Sequence, residues 1–361
     1  MRRIHLSAFM LMFGVLPLAS LPEFVCFADS ELRARQDMQF GVRRQADVSE
    51  PGALATGSLR DQDRKGFRSL FKVFVDPVAT APGSDTDFSI LNFQFSLLLM
   101  QLIVLGSGTS VFHPQRAAAG FWLETQAGSI LLDCSADAPH RMARENLDWP
   151  NLDAIWISHL HLDHCAGLAP FLFGIKWAPG IGDRKKPLRI FGCEGIEKLL
   201  KAIDDAHNYK LFDQNFAIEI HELGPTEEGH TFDLLAGLTA EIISTPHRAE
   251  SLAIRLTDQS GATLVYTSDT GFSETVADFS HDADLLILEC SFYRDKPTHK
   301  HLELADAMCI AKLVEPTQLL LTHLYPEWDH IDLEAEAKKI WPGETIAASD
   351  GLRLEIKSGR R

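Results

Sequence analysis

From residue 100 onward, short apolar runs alternate with loops and with helical patterns. Short apolar runs bounded by turn residues are typical of strands. They occur at 101–105, 120–125, 129–133, 154–158, 188–191, 217–221, 239–244, 252–257, 263–267, 285–289, 319–322 and 352–356. Helical patterns, with Gly and Pro near their starts and stops, occupy 136–146, 166–176, 195–207, 302–313 and 333–340.

This order of elements predicts an α/β domain. Both halves of the region carry sheets that helices must cover. Two sheets packed face to face with helices outside, a four-layer αβ/βα sandwich, meet this need within one domain at 100–361. The sequence shows no internal repeat with a period of about 20–50 residues.

The first 99 residues differ from the rest. An Arg pair, an apolar stretch and a small residue give residues 1–28 the outline of a secretory signal. Residues 29–96 lack a sustained helical or strand period and are rich in Gly, Ser, Asp and Arg, so residues 1–99 are predicted to be a disordered extension. The run at Met100 resembles a first strand with its own initiator methionine. We therefore expect a cytoplasmic protein if translation starts at Met100, and an exported one if the signal is real.

Charge narrows the functions further. The 361 residues are 45% apolar and 23% charged, which is ordinary for a globular protein. Residues 1–99 hold 11 Lys+Arg and 11 Asp+Glu, so the whole formal charge of −16 falls on 100–361. Proteins that grip long nucleic acids need clustered Lys and Arg. We therefore expect a small or locally held substrate, with no extended nucleic-acid surface and no membrane span in the domain. A homodimer is left open.

One run of polar residues comes directly after an apolar strand. Residues 158–164 read Ser-His-Leu-His-Leu-Asp-His and follow the strand at 154–157. Four candidate ligands within six residues cannot all belong to a core. Imidazole nitrogens and carboxylate oxygens bind zinc, manganese or iron, and their mixture suits a hydrolytic pair of ions. The run therefore predicts a metal site with the ligands His159, His161, Asp163 and His164.

Three single residues follow the same rule of a polar side chain placed just after an apolar strand. His247 follows 242–246, Asp269 follows 264–268, and His323 follows 319–322. Any one of them alone would suggest a hydrogen-bonded loop residue. Together with the run at 158–164, they predict a converging set.

With these residues in this order, the sequence resembles the metallo-β-lactamase superfamily over 101–356. The resemblance rests on the H-x-H-x-D-H run, a later His, an Asp and a last His. It implies the sandwich fold of that superfamily and two divalent metal ions, with Zn²⁺ expected and Mn²⁺ as the alternative. It also implies one metal held by His159, His161 and His247, a second held by Asp163, His164 and His323, and Asp269 as the bridge between them.

A further aspartate precedes the ligand run. Asp133, in Leu-Leu-Asp-Cys, matches the buried aspartate of the superfamily that orients ligands rather than binding metal. A turn or strand-end cap is the open alternative for this residue.

The branch of the superfamily is indicated by residues around the ligands. True β-lactamases usually place a Cys where Asp269 stands, and flavo-diiron relatives carry a Glu in the first motif. His301 precedes a helix that leads to His323, and ribonuclease Z and related phosphodiesterases have a histidine at this place. The resemblance gives His301 the role of assisting the leaving group, whereas His299 is expected to be an exposed residue at the helix start.

The resemblance also implies a mechanism. Two cations generate hydroxide at neutral pH and neutralise phosphoryl oxygens. Asp163 would accept or orient the proton of the attacking water, and a protonated His301 would act as general acid. The predicted reaction is cleavage of small or cyclic diesters or of RNA 3′ ends. A sulfatase, lactonase or thioesterase on the same fold, and a non-catalytic metal-binding or RNA-binding module, are the alternatives.

One departure from ribonuclease Z concerns tRNA. Bacterial tRNA-processing members insert a long arm between the fourth His ligand and the bridging Asp. Here the interval from His247 to Asp269 is 22 residues long and reads as a plain hairpin. This spacing argues against tRNA 3′-end cleavage and resembles the compact phosphodiesterases that open cyclic or small diesters.

Overall fold

The computed structural model describes residues 100–296 and 298–359. The predicted disordered extension and the signal-like segment fall in residues 1–99, outside the described residues, and stay predictions. In the described residues, two seven-stranded sheets carry helices on their outer faces.

The first sheet joins strands from the beginning of the described chain to its last strand. Its members are β1 (Met100–Gly106), β2 (Gly120–Thr125), β3 (Gly128–Leu132), β4 (Ala154–Ile157), β5 (Leu188–Cys193), β6 (Ile218–Leu223) and β14 (Arg353–Ile356). They are ordered β14-β1-β2-β3-β4-β5-β6. Pairing from β3 to β6 is parallel, so the carboxyl ends of these strands lie at one edge of the sheet.

The second sheet is built from the later strands. Its members are β7 (His230–Leu235), β8 (Leu238–Ser244), β9 (Leu252–Asp258), β10 (Thr263–Tyr266), β11 (Leu285–Glu289), β12 (Gln318–Thr322) and β13 (Thr345–Ala347). They are ordered β13-β12-β11-β10-β9-β8-β7. Strands β10 to β13 pair in parallel, while β9 and β10 form an antiparallel hairpin.

Seven α-helices occur in the described residues. Four pack on the first sheet, namely α1 (Ala138–Arg144), α2 (Leu162–Cys165), α3 (Leu168–Ile175) and α4 (Ile196–His207). Three pack on the second, namely α5 (Glu274–Phe279), α6 (Leu304–Val314) and α7 (Leu333–Lys338). None of these described helices has the length and apolar content that a membrane crossing requires.

Three apolar layers hold the sandwich together. The central layer lies between the sheets and takes one face of each strand, as Leu102 and Val104 of β1 show. The alternate residues of the same strand, Ile103 and Leu105, pack in the layer under α1 to α4. Because both faces of such strands are buried, their sequences are continuous apolar runs rather than alternating ones. The predicted four-layer α/β sandwich is confirmed.

The structure differs from the sequence expectations in its short elements. The sequence did not predict strands β7 and β13 or helix α5. Strand β7 buries only its last two residues, β13 has three residues, and α5 buries only the adjacent Val276 and Ala277, which show no helical period. The predicted helix at 166–176 is present as α3 at Leu168–Ile175, and the short helix α2, which was not predicted, precedes it, with Gly167 between them. A Cβ at Gly167 would lie 2.0 Å from the carbonyl oxygen of Ser135, so only glycine allows the close approach of these two backbones.

The end of β1 offers a test of this packing. A Cβ at Gly106 would lie 1.9 Å from the backbone oxygen of Ala118, which cannot rotate away. We expect Gly106→Ala to lower the free energy of unfolding by about 1–3 kcal/mol, as overpacking does. Chemical denaturation measures this as a lower midpoint with an unchanged slope.

Gly174→Ala is the matched control. Nothing lies within 4 Å of a Cβ at Gly174, which is in the helix α3. Alanine there should stabilise the protein by up to about 1 kcal/mol. If Gly106→Ala is as stable as the wild type, the backbone at Ala118 can move away from the added methyl group at little cost, and the prediction is wrong.

Candidate metal centre

The seven predicted ligands lie on loops that leave strand ends of both sheets. Strand β4 leads into residues 159–164, whose last two ligands lie in the short helix α2. His247 follows β8, Asp269 follows β10, and His323 follows β12. Parallel strands end at a common edge, so these loops converge where the two sheets meet.

Asp269 lies at the centre of the cluster. Its Oδ2 is 3.8 Å from Nε2 of His159 and 3.6 Å from Nε2 of His247. Its Oδ1 is 3.3 Å from Nε2 of His164 and also 3.3 Å from Nε2 of His323. Each carboxylate oxygen therefore faces a different pair of histidines.

His161 and Asp163 complete the two groups. Nδ1 of His161 is 3.1 Å from Nε2 of His247, and Oδ2 of Asp163 is 3.5 Å from Nε2 of His323. The ligand atoms within each group all lie within 4.8 Å of one another. The structure thus brings all seven predicted residues together, in two groups that consist of His159, His161, His247 and Asp269, and of Asp163, His164 and His323.

Unusual backbone conformations mark three of the strand ends. Asp133 after β3, Ser268 after β10 and His323 after β12 have φ angles of 57°, 54° and 59°. A residue other than glycine pays about 1–2 kcal/mol in this left-handed region. Such strain is concentrated at functional sites, where surrounding contacts enforce it. Here the sharp turns direct the chain from the strands into the cluster.

Hydrogen bonds at Nδ1 orient the rings of His164 and His247. His164 Nδ1 donates to Oδ2 of Asp133 at 2.7 Å, and His247 Nδ1 donates to the carbonyl oxygen of Lys300 at 2.9 Å. A carboxylate and a carbonyl can only accept, so Nδ1 carries a proton in both rings, and Nε2 is the nitrogen that remains for a metal. This arrangement is how outer contacts prepare histidines for metal binding.

Asp133 is the hub of the contacts behind the cluster. It is fully buried, and besides His164 it accepts hydrogen bonds from Ser158 N at 2.8 Å and Ser158 Oγ at 2.9 Å. The buried Tyr266 hydroxyl also donates to it, at 2.7 Å. Asp133 therefore contacts one candidate ligand and the residue that precedes another, His159. Its hydrogen bond from Ser158 N, directly after β4, is also the one that a strand-end cap would make.

Burial sets the protonation of the first group. It lowers the pKa of His159 to about 2 and lowers the pKa values of His161 and His247 below their ordinary value. These rings are therefore neutral at pH 7, which is the form that binds metals.

Charge dominates in the second group. Burial acts against protonation of His164, but the carboxylates of Asp269 and Asp133 outweigh it and raise the pKa of His164 well above its ordinary value. Burial likewise acts against ionisation of Asp269, yet positive charge on His323 and His164 holds the pKa of Asp269 well below its usual range. A cation bound by this group would therefore take the place of a proton.

Three buried nitrogen atoms test whether the cluster fits a metal. Nε2 of His159, His164 and His323 has no hydrogen-bond partner within the described part of the chain. Leaving a buried polar atom unpaired costs about 1–3 kcal/mol, yet here three such atoms face one carboxylate. Divalent cations coordinated by these lone pairs and by Asp269 would satisfy all of them. The mixed nitrogen and oxygen donors therefore fit divalent metal binding.

His301 lies beside the cluster. Its ring stacks on His323 with ring centroids 5.5 Å apart, and its Nδ1 is 3.1 Å from Oε1 of Glu289. Burial acts against protonation of His301, but the hydrogen bond and the charge of Glu289 outweigh it and raise the pKa of His301 above its ordinary value. His301 can thus carry a proton near neutral pH. In the described part of the chain its hydrogen bonds are made through Nδ1, so Nε2 can serve a substrate.

Sequence reasoning missed the residues that support His301 and His323. Glu289 is 1% exposed and also accepts from Thr270 N and Ser291 Oγ, both at 2.6 Å. Ser291 Oγ in turn accepts from Nδ1 of His323 at 2.9 Å. Glu289 ends the apolar strand β11, so the rule that selected Asp269 would have selected it too.

A family model and one relative match most of the described chain. The model described as anti-Pycsar protein Apyc1 matches residues 100–339. The probable metallo-hydrolase YhfI of Bacillus subtilis is 31% identical over 260 residues, which cover 71% of this chain and 100% of the relative. The crystal structure of YhfI, a metallo-β-lactamase fold protein, matches this chain with a TM-score of 0.59 at 27% sequence identity. The match covers 71% of this chain and 98% of the YhfI chain.

Ribonuclease Z proteins match over similar lengths. Ribonuclease Z of Picosynechococcus is 25% identical to this chain over 323 residues. The match covers 71% of this chain and 96% of the relative. The crystal structure of human tRNase Z, short form, has a TM-score of 0.60 at 22% identity and covers 71% of this chain and 99% of that one. At 22% identity, the match to the human protein is evidence for the fold alone.

The buried hydroxyl of Tyr266 provides a test of the contacts behind the cluster. Tyr266→Phe removes one of the donors to Asp133 in a fully buried place. We expect the free energy of unfolding of the chelator-treated protein to fall by about 1–3 kcal/mol. Denaturation followed by far-ultraviolet circular dichroism measures it.

Tyr293→Phe is the control for this substitution. The Tyr293 hydroxyl donates to Glu336 at 3.2 Å near the surface, where water replaces the lost partner. Its loss should change stability by less than about 0.5 kcal/mol. If the two substitutions lower the free energy of unfolding equally, the buried Tyr266 hydroxyl contributes no more to stability than the Tyr293 hydroxyl near the surface.

Proposed function

The chain belongs to the family of the anti-Pycsar protein Apyc1, in the ribonuclease Z-like branch of the metallo-β-lactamase superfamily, and on that premise we propose its reaction. The protein is a metal-dependent, phosphodiesterase-like hydrolase. We propose that it holds two divalent ions and cleaves small or cyclic phosphodiesters. Zn²⁺ is the proposed metal, with Mn²⁺ as the alternative.

The position of Asp269 carries the proposal of two ions. Its Oδ2 faces His159 and His247, and its Oδ1 faces His164 and His323, at 3.3–3.8 Å. A carboxylate between two separate sets of nitrogen donors suits a pair of cations better than one. The ions would be held by His159, His161 and His247 on one side, by Asp163, His164 and His323 on the other, and by Asp269 between them.

The residues of the chain divide the remaining work. A bound pair of divalent ions activates water and offsets the charge of phosphoryl oxygens. Asp163 lies at the open side of the cluster, with its side chain 10% exposed, and is placed to accept a proton from the attacking water. His301, protonated and oriented through Nδ1 by Glu289, donates a proton from Nε2 to the leaving oxygen.

The hairpin between two of the ligands supports a small substrate. Between His247 and Asp269 the chain forms only β9 and β10, joined by residues 259–262. No clamp for a large RNA is present in this interval. The net charge of −16 also disfavours a surface that follows a long phosphate backbone.

A substrate panel tests the proposed function. The full chain is stripped with a chelator and reloaded with Zn²⁺ or Mn²⁺. It is then assayed on bis(p-nitrophenyl) phosphate, a cyclic phosphodiester, p-nitrophenyl sulfate, a lactone, a thioester and a precursor tRNA with a 3′ trailer. We expect metal-dependent cleavage that is fastest on the small diesters. A preference for the sulfate, the lactone or the thioester overturns the proposal, and a preference for the tRNA overturns its small-substrate part.

Replacement of His301 tests the general acid. We expect His301→Ala to slow diester cleavage by about 100- to 10,000-fold, while metal analysis still finds two ions per chain. His299→Ala is the control and should keep wild-type turnover. Because His301 also lies near Asp269 and His323, loss of one ion in His301→Ala would instead identify it as a ligand. Unchanged turnover would remove its role.

A further inference from the structure

Tyr325 lies beside the last ligand of the candidate metal centre. It follows His323 by two residues, and the ring centroids of the two side chains are 6.1 Å apart in an edge-to-face arrangement. His301 stacks on the ring of the same histidine, with centroids 5.5 Å apart. The ring of His323 is therefore flanked by two side chains that can donate a hydrogen bond, the imidazole of His301 and the phenol of Tyr325.

Packing and backbone contacts fix the position of Tyr325. The ring of Phe292 lies 4.7 Å from that of Tyr325 and 6.2 Å from that of His301, measured between centroids, so both donors pack on one aromatic side chain. The carbonyl oxygen of Tyr325 accepts from Trp328 N at 3.1 Å. Pro326 also restricts Tyr325 to the extended conformation that it has. A side chain held in this way is preorganised, so little order has to be gained when a ligand binds.

The hydroxyl of Tyr325 lies toward the open side of the cluster. Tyr325 is half-buried, and its hydroxyl hydrogen-bonds the side chain of Ser110, which is exposed and lines a surface cleft together with Asp163. Burial, followed by the charges of Asp163 and Asp269, raises the pKa of Tyr325 above its ordinary value, so the hydroxyl is within electrostatic range of both carboxylates. A tyrosine hydroxyl can accept one hydrogen bond and donate another. The contact with Ser110 therefore leaves capacity for a ligand at the centre.

We propose that Tyr325 is a further catalytic residue, whose hydroxyl donates a hydrogen bond to a non-bridging oxygen of the substrate's phosphate. Because Tyr325 and His301 share the neighbour His323, a phosphate placed for proton donation by His301 is also near the phenol. His301 serves the leaving oxygen, whereas Tyr325 holds an oxygen that stays on phosphorus. Preorganised donors directed at oxygens of the reacting group are among the larger contributions to catalysis. The inference rests on the proposed function and adds a contact that neither the ligands nor His301 makes.

Tyr325→Phe tests the proposal, because it removes the hydroxyl and keeps the ring that packs on Phe292. On the full chain loaded with Zn²⁺, we expect kcat/KM for methyl p-nitrophenyl phosphate to fall about 100-fold. Calorimetry should find the Kd for inorganic phosphate about tenfold higher. The decisive substrates are the two enantiomers of methyl p-nitrophenyl phosphorothioate, in which sulfur, a poor acceptor, replaces one or the other non-bridging oxygen. Sulfur at the oxygen that Tyr325 contacts should slow the wild type, and Tyr325→Phe should lose most of this effect for that enantiomer alone.

Tyr293→Phe is the matched control, because the Tyr293 hydroxyl donates to Glu336 and its ring packs on Trp328. It should leave all values unchanged. If the sulfur effects for both enantiomers are the same in Tyr325→Phe as in the wild type, the proposal is wrong, since any slower reaction would then come from altered packing. Unchanged rates, or the loss of a metal ion in Tyr325→Phe, would also overturn it. If the wild type cleaves no diester, the proposed function fails, while the Kd for phosphate still decides whether the phenol contacts a bound phosphate.

Discussion

The structure depends on the placement of one ionised carboxylate, Asp269, among buried imidazoles. Water is excluded from this place, so each polar atom must be satisfied by a neighbour or by a ligand. Nδ1 of the surrounding rings is satisfied by Asp133, Lys300 and Ser291. With Nδ1 held in this way, the Nε2 atoms of these rings point toward the carboxylate of Asp269. The geometry of the centre therefore follows from contacts made on the side of the rings that faces away from it.

The sandwich provides the rigidity that this placement needs. Strands buried on both faces cannot shift without disturbing two apolar layers, and the ligands come directly after such strands. Residues 109–118 and α1 line a cleft of about 880 Å³ at the surface, and this cleft reaches Asp163. Surface loops such as 109–118 can vary in sequence without altering the strands that carry the ligands.

Much of this could be predicted from the sequence, for a physical reason. A polar side chain just after an apolar strand is ordinary when it occurs once, but His159, Asp269 and His323 repeat the same placement with residue types that bind metal. The apolar runs also gave the layers, because strands buried on both faces have an unmistakable composition. Ser158 and Tyr266 could not be identified, since their value comes from contacts with Asp133 that only the packing of two sheets creates.

The origin of the ligands in both sheets has a consequence for the lifetime of the protein. Cations bound by residues after β4 of the first sheet and by residues after β8, β10 and β12 of the second sheet would link the two sheets. A ligand that binds only the folded chain stabilises it in proportion to the logarithm of its concentration. When divalent metal is scarce, this link would be lost, and proteases would cleave the chain sooner because it would unfold more often. The lifetime of the folded chain would then depend on the supply of divalent metal.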